Sequence, residues 1–192
     1  MLWIHGGGFT GGSPEAFLPS AKYGAARGAV GMAVQYRLMK GPGYRNDKKL
    51  TDEENAAKRA ERWNAFLEGP SLPDLIGDCA DAIRHIRSHA AELGVDPDRI
   101  TVIGDSAGAF LCAVLGTLVE DDARPNAVIC GSSISDLTVG FGRDYVKPKD
   151  GVKKELEDDP ELMTRAEELS PLFNIPKDAP PFLILAGAND WL

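Results

Sequence analysis

The chain has 192 residues, 43% of them hydrophobic and 26% charged, and carries a net charge of −8 at pH 7. This is the composition and length of one globular domain. No apolar run approaches the roughly 20 residues of a membrane-spanning helix, and the acidic balance argues against nucleic-acid partners and anionic membrane surfaces.

The chain opens on a strand-like Met1-Leu2-Trp3-Ile4, followed at once by a glycine-rich loop. Ser13 as N-cap with Pro14 in the first turn predicts a short helix over residues 13–27. Residues 30–38 read as a second strand and 39–50 as a polar loop. Thr51 and Glu54 form a capping-box pattern that opens a charged helix over 51–67, with a thin apolar stripe that includes Trp63 and Phe66. These two aromatics are expected either to line an acyl or leaving-group pocket or only to dock the helix.

Residues 74–93 carry Leu75, Cys79, Ile83, Ile86, Ala90 and Leu93 at three- and four-residue steps. That spacing predicts an amphipathic helix closed by Gly94. Asp81, His85 and His89 fall beside this stripe, on the wet side, where a solvated face explains them better than a metal site. A strand then leads to Ser106, and the helix after it is apolar nearly all round, so it is expected to be buried. Residues 127–130 and 181–186 read as further strands, separated by loop and charged helix over 138–176. Short apolar strands alternating with helices predict a mostly parallel, doubly wound α/β sheet of about five strands with helices on both faces. Cys79, Cys112 and Cys130 read as buried free thiols, a pattern compatible with a cytoplasmic setting.

The chemistry is concentrated in Gly104-Asp105-Ser106-Ala107-Gly108. A serine flanked by glycines between strand and helix is the pattern of a nucleophile elbow, in which a strained backbone lifts Oγ clear of the sheet. Such a serine needs a base and an acid behind it. Four features match in order: His5-Gly6-Gly7-Gly8-Phe9 after a strand, Tyr36-Arg37-Leu38 ending the next, Asp96-Pro97-Asp98-Arg99-Ile100 leading into the elbow, and Leu185-Ala186-Gly187 with Asp190 after the last strand.

In this combination the chain resembles the α/β-hydrolase fold, and within it the hormone-sensitive-lipase-like carboxylesterases and the related acetyl- and feruloyl-esterase-like enzymes. The resemblance implies Ser106 as nucleophile, Asp190 as acid, and an oxyanion hole formed by the N–H groups of Gly7, Gly8 and Ala107. His5 resembles a structural residue of the loop. Asp136, after another strand end, is a rival acid. The implied reaction is hydrolysis of small, short-chain acyl or acetyl esters through an acyl-enzyme, with no cofactor and no metal.

The family order is serine, acid, histidine, and the three histidines, His5, His85 and His89, all precede Asp190. The resemblance therefore implies a single domain over 1–192, cut at both ends, with 39–70 and 138–176 as candidate insertion or cap segments. Such a piece is expected to turn over little substrate and to expose residues 30–38 as a sheet edge. Other readings are a non-catalytic binding protein of the same fold and a peptidase of that fold. A third is a nucleotide-binding oxidoreductase, because Gly6–Gly11 also fits GxGxxG and Arg37 follows the next strand.

Overall fold

The computed structural model of the chain describes residues 1–43 and 45–190. Five strands, β1 (Leu2–Ile4), β2 (Met32–Val34), β3 (Thr101–Asp105), β4 (Ala127–Gly131) and β5 (Phe182–Leu185), form one sheet. Their order is β2-β1-β3-β4-β5, and every neighbouring pair is parallel. All five C-terminal strand ends therefore lie on one edge, where ligands bind in open α/β sheets.

The helices are α1 (Leu18–Ala25), α2 (Asp52–Glu68), α3 (Leu72–Ser88), α4 (Ala90–Leu93), α5 (Ala107–Thr117) and α6 (Pro160–Leu169). Strand parity assigns them to faces. The Cys130 thiol donates to the Ala109 carbonyl of α5, so α5 covers the face bearing Ile4, Gly104 and Cys130. Trp3 points the other way, onto Gly24 of α1. Helices thus lie on both faces, as the alternating pattern predicts. On the α5 face Val102, Gly104, Val128 and Cys130 are buried, whereas Thr101, Ile103, Ala127 and Ile129 opposite are half-buried. Every residue of α5 is buried, as its all-round apolar sequence requires.

Local differences have physical causes. The segment predicted as a strand over 30–38 pairs only at Met32–Val34, because β1 ends at Ile4 and offers no further ladder partner. The helix predicted over 13–27 begins as a 3-10 turn, Pro14–Phe17, before α1. The predicted 74–93 helix starts earlier, with Ser71 and Asp74 forming a capping box, and breaks at His89. There the Ser88 hydroxyl and His89 Nδ1 both donate to the His85 carbonyl, at 3.0 and 2.9 Å. These local bonds compete with helix propagation. Gly94 ends α4 in the left-handed conformation.

Candidate active site

Ser106 occupies the turn between β3 and α5 with no spare residue on either side: β3 ends at Asp105 and α5 begins at Ala107. Its backbone sits at φ 53°, ψ −122°, a conformation that costs a residue with a Cβ on the order of 1–3 kcal/mol. Two bonds hold it there. The Ser106 N–H donates to the Gly131 carbonyl at 2.9 Å, and the Ser106 carbonyl accepts from Phe110 at 3.1 Å. The flanking glycines permit the crossing, since a Cβ on Gly108 would collide with the Ile4 carbonyl oxygen and one on Gly104 with the Gly108 carbonyl. Ser106 Oγ makes no hydrogen bond within the described residues.

The loop after β1 runs past this elbow. A methyl group on Gly6 would stand 3.3 Å from Ser106 Cβ. Gly7 and Gly8 have φ of 121° and 57°. The Gly7 carbonyl accepts from Thr10 and Gly11, at 3.2 and 3.0 Å, while the Gly7 and Gly8 N–H groups donate to no described residue. The Ala107 N–H, first in α5, has no intrahelical acceptor either. The base of the loop is pinned by Tyr36, whose hydroxyl donates to the His5 carbonyl at 2.7 Å and whose ring stacks on His5 at 4.2 Å. Burial drives the Tyr36 phenol pKa far upward, so it stays a donor.

His5 is fully enclosed. Its Nδ1 donates to the Gly6 carbonyl at 2.9 Å, and its Nε2 has no hydrogen-bond partner among the described residues, so it does not engage Ser106. The His85 and His89 rings meet at a tilt of 32°, with centroids 4.1 Å apart, and both residues are exposed at the C-terminal end of α3. No described group of three His, Cys, Asp or Glu residues is arranged to hold a metal ion. Asp190 follows β5 on the same sheet edge as Ser106, and its N–H donates to the Gly187 carbonyl at 3.0 Å. The rival Asp136 spends its carboxylate on its own turn, accepting from the Thr138 N–H and hydroxyl at 2.7 and 2.6 Å.

Arg37 is held by Asp78 and Asp74, with Nη2 and Nη1 at 2.8 and 3.2 Å from their carboxylates. It is therefore committed and does not present itself to a nucleotide phosphate. The three cysteines are buried and reduced, and burial raises the Cys130 thiol to about 11.

The segments over 39–70 and 138–176 pack on each other. Trp63 Nε1 donates to the Gly151 carbonyl at 2.9 Å, and Lys147 Nζ reaches the Leu67 and Gly69 carbonyls at 3.1 and 2.5 Å. Phe66 is fully buried in the core. Both aromatics of α2 therefore dock it, and Trp63 also borders a cavity of about 110 Å³ between the two segments. Sequence reasoning missed two residues of the 3-10 turn Gly140–Tyr145. The Tyr145 hydroxyl and Phe141 ring stand beside Gly8, and nothing in a loop-like segment announces that placement.

A parallel sheet with helices on both faces, a strained serine between strand and helix, and a glycine loop beside it define the α/β-hydrolase fold. The chain belongs to the BD-FAE family, whose model matches residues 66–192. Among curated proteins it is 30% identical to carboxylesterase NlhH of Mycobacterium tuberculosis over 67% of this chain and 32% of that protein. It is 30% identical to fumonisin B1 esterase of Sphingopyxis macrogoltabida over 69% and 22%. Among solved structures, butyrate-bound esterase 2 of Thermogutta terrifontis superposes with a TM-score of 0.64 and 29% identity, over 95% of this chain and 59% of that one. The chain thus spans less than two thirds of the length of these relatives.

Proposed function

We propose that this chain carries the nucleophile, oxyanion loop and acid of a serine carboxylesterase for small, short-chain esters. The observation that carries the reading is the strained Ser106 on a sheet edge with three backbone N–H groups, of Gly7, Gly8 and Ala107, that have no acceptor among the described residues. Ser106 Oγ adds to the ester carbonyl carbon and gives its proton to a base. The oxyanion is met by the Gly7, Gly8 and Ala107 N–H groups, each worth on the order of 2.7–4 kcal/mol of barrier. Collapse expels the alcohol, which takes up the proton, and water then hydrolyses the acyl-enzyme. Asp190, which follows β5 on the sheet edge that carries Ser106, is the acid that orients the base. The short-chain preference draws support from the propionate- and butyrate-bound forms of the Thermogutta esterase.

None of His5, His85 and His89 stands as base to Ser106, so this chain acylates slowly unless a base is supplied. A fluorophosphonate probe with mass spectrometry of the modified peptide tests this. One slow adduct on Ser106 is expected, absent in Ser106→Ala and accelerated by added imidazole. Equal labelling of Ser106→Ala, or no adduct even with imidazole, would favour the non-catalytic reading.

A further inference from the structure

Phe110, Phe9, Tyr145 and Phe141 form a continuous row of edge-to-face aromatic contacts, with centroid separations of 5.4, 5.0 and 5.1 Å. The row starts in α5, passes through the residue after Gly8, and emerges at Phe141, which is 40% exposed. Phe9 holds φ 61° while fully buried, an unfavourable state for a bulky residue. Its packing between Phe110 and Tyr145 is what keeps it there. The row ties the 138–146 segment to the oxyanion loop.

At the outer end, a methyl group in place of a Gly8 hydrogen would stand 3.7 Å from Tyr145 Oη and 3.8 Å from Phe141 Cζ. Both side chains therefore face the space over Gly8. Tyr145 is 7% exposed, and its hydroxyl bonds to no described residue, although it is not sealed from solvent. The ring is packed while the hydroxyl stays open to a partner over Gly8, and phenylalanine would fill the same ring space without the polar atom. Burial raises the Tyr145 pKa, so the hydroxyl stays protonated and available as a donor.

We infer that Tyr145 and Phe141 are specificity-determining residues that wall the substrate pocket over Gly8, with Tyr145 Oη donating to an oxygen of the bound ester and Phe141 limiting the size of its chain. The inference rests on the esterase reading and gives part of the 138–176 segment a task at the site.

The test uses two phosphonate probes, one with a short and one with a bulky alkyl group, reacted with the chain in the presence of imidazole. Adducts on Ser106 are quantified by mass spectrometry. In Phe141→Ala the bulky-to-short rate ratio should rise about tenfold, and in Phe141→Leu by less. Tyr145→Phe should label about three- to tenfold more slowly, as loss of one hydrogen bond predicts, with an unchanged melting temperature. If Ser106 is labelled but the ratio and the Tyr145→Phe rate stay at wild-type values, this inference fails and the esterase reading stands. If Ser106 is not labelled in the wild type, both fall.

Discussion

Ser106 is a residue whose backbone is unfavourable by itself and maintained by its neighbours. At φ 53° the penalty comes from Cβ, so it persists in alanine and disappears in glycine. Ser106→Gly should therefore be more stable than Ser106→Ala by about 1 kcal/mol, measured by urea denaturation. An equal or lower stability for the glycine variant would mean that the elbow stores no strain. The same logic separates Phe9 from the glycines before it. Gly7 and Gly8 reach positive φ without a Cβ to strain, whereas Phe9 reaches it because two aromatic rings hold it there.

At the scale of elements, the segment after β2 is attached to the first turns of α3 by Arg37, which meets both Asp74 and Asp78. The Arg37 hydrogen bond holds the Asp78 carboxyl below its ordinary pKa, and the Ser71 hydroxyl does the same for Asp74. A lowered folded-state pKa contributes stability that is present above the unfolded value, about 3.9 for aspartate. That contribution is lost as pH falls through the folded value. Asp78→Asn should therefore melt below wild type at neutral pH, and the gap should close as pH is lowered past about 4. A gap that stays constant down to the acid limit would show that packing, not charge, makes this contact. The capping box at Thr51 is legible in the sequence because its bonds are local: Thr51 Oγ1 accepts from the Glu54 N–H at 3.2 Å. The break at His89 was not, because apolar periodicity continues to Leu93 and the competing bonds appear only with side-chain geometry.

At the scale of the molecule, β2 is an edge strand as expected, but it is only three residues long and Val34 is buried. The apolar edge lies at β5, where Leu183, Ile184 and Leu185 are 51%, 67% and 55% exposed. By strand parity, Ile184 lies on the α5 face and the two leucines on the opposite one, so both faces of β5 are open. Parallel sheets are normally covered on both faces, and an unpaired apolar edge promotes association. The purified chain should self-associate by light scattering, and Ile184→Lys should shift it toward monomer. A wild-type chain that stays monomeric at high concentration would contradict this.

What the sequence determined by itself is what local spacing encodes. The elbow motif, the glycine loop and the all-apolar α5 each depend on residues within a turn or two of one another. So does the alternation of strands and helices that specifies a parallel α/β sheet. The tertiary structure alone decided what depends on meetings across the chain. It placed Gly6 against Ser106, committed Arg37 to two aspartates on α3, and kept His5 from reaching the nucleophile. It also brought Tyr145 and Phe141 over Gly8 from more than 130 positions away. Such contacts leave no periodic signal, because they arise from how rigid elements cross and not from the order of neighbouring residues.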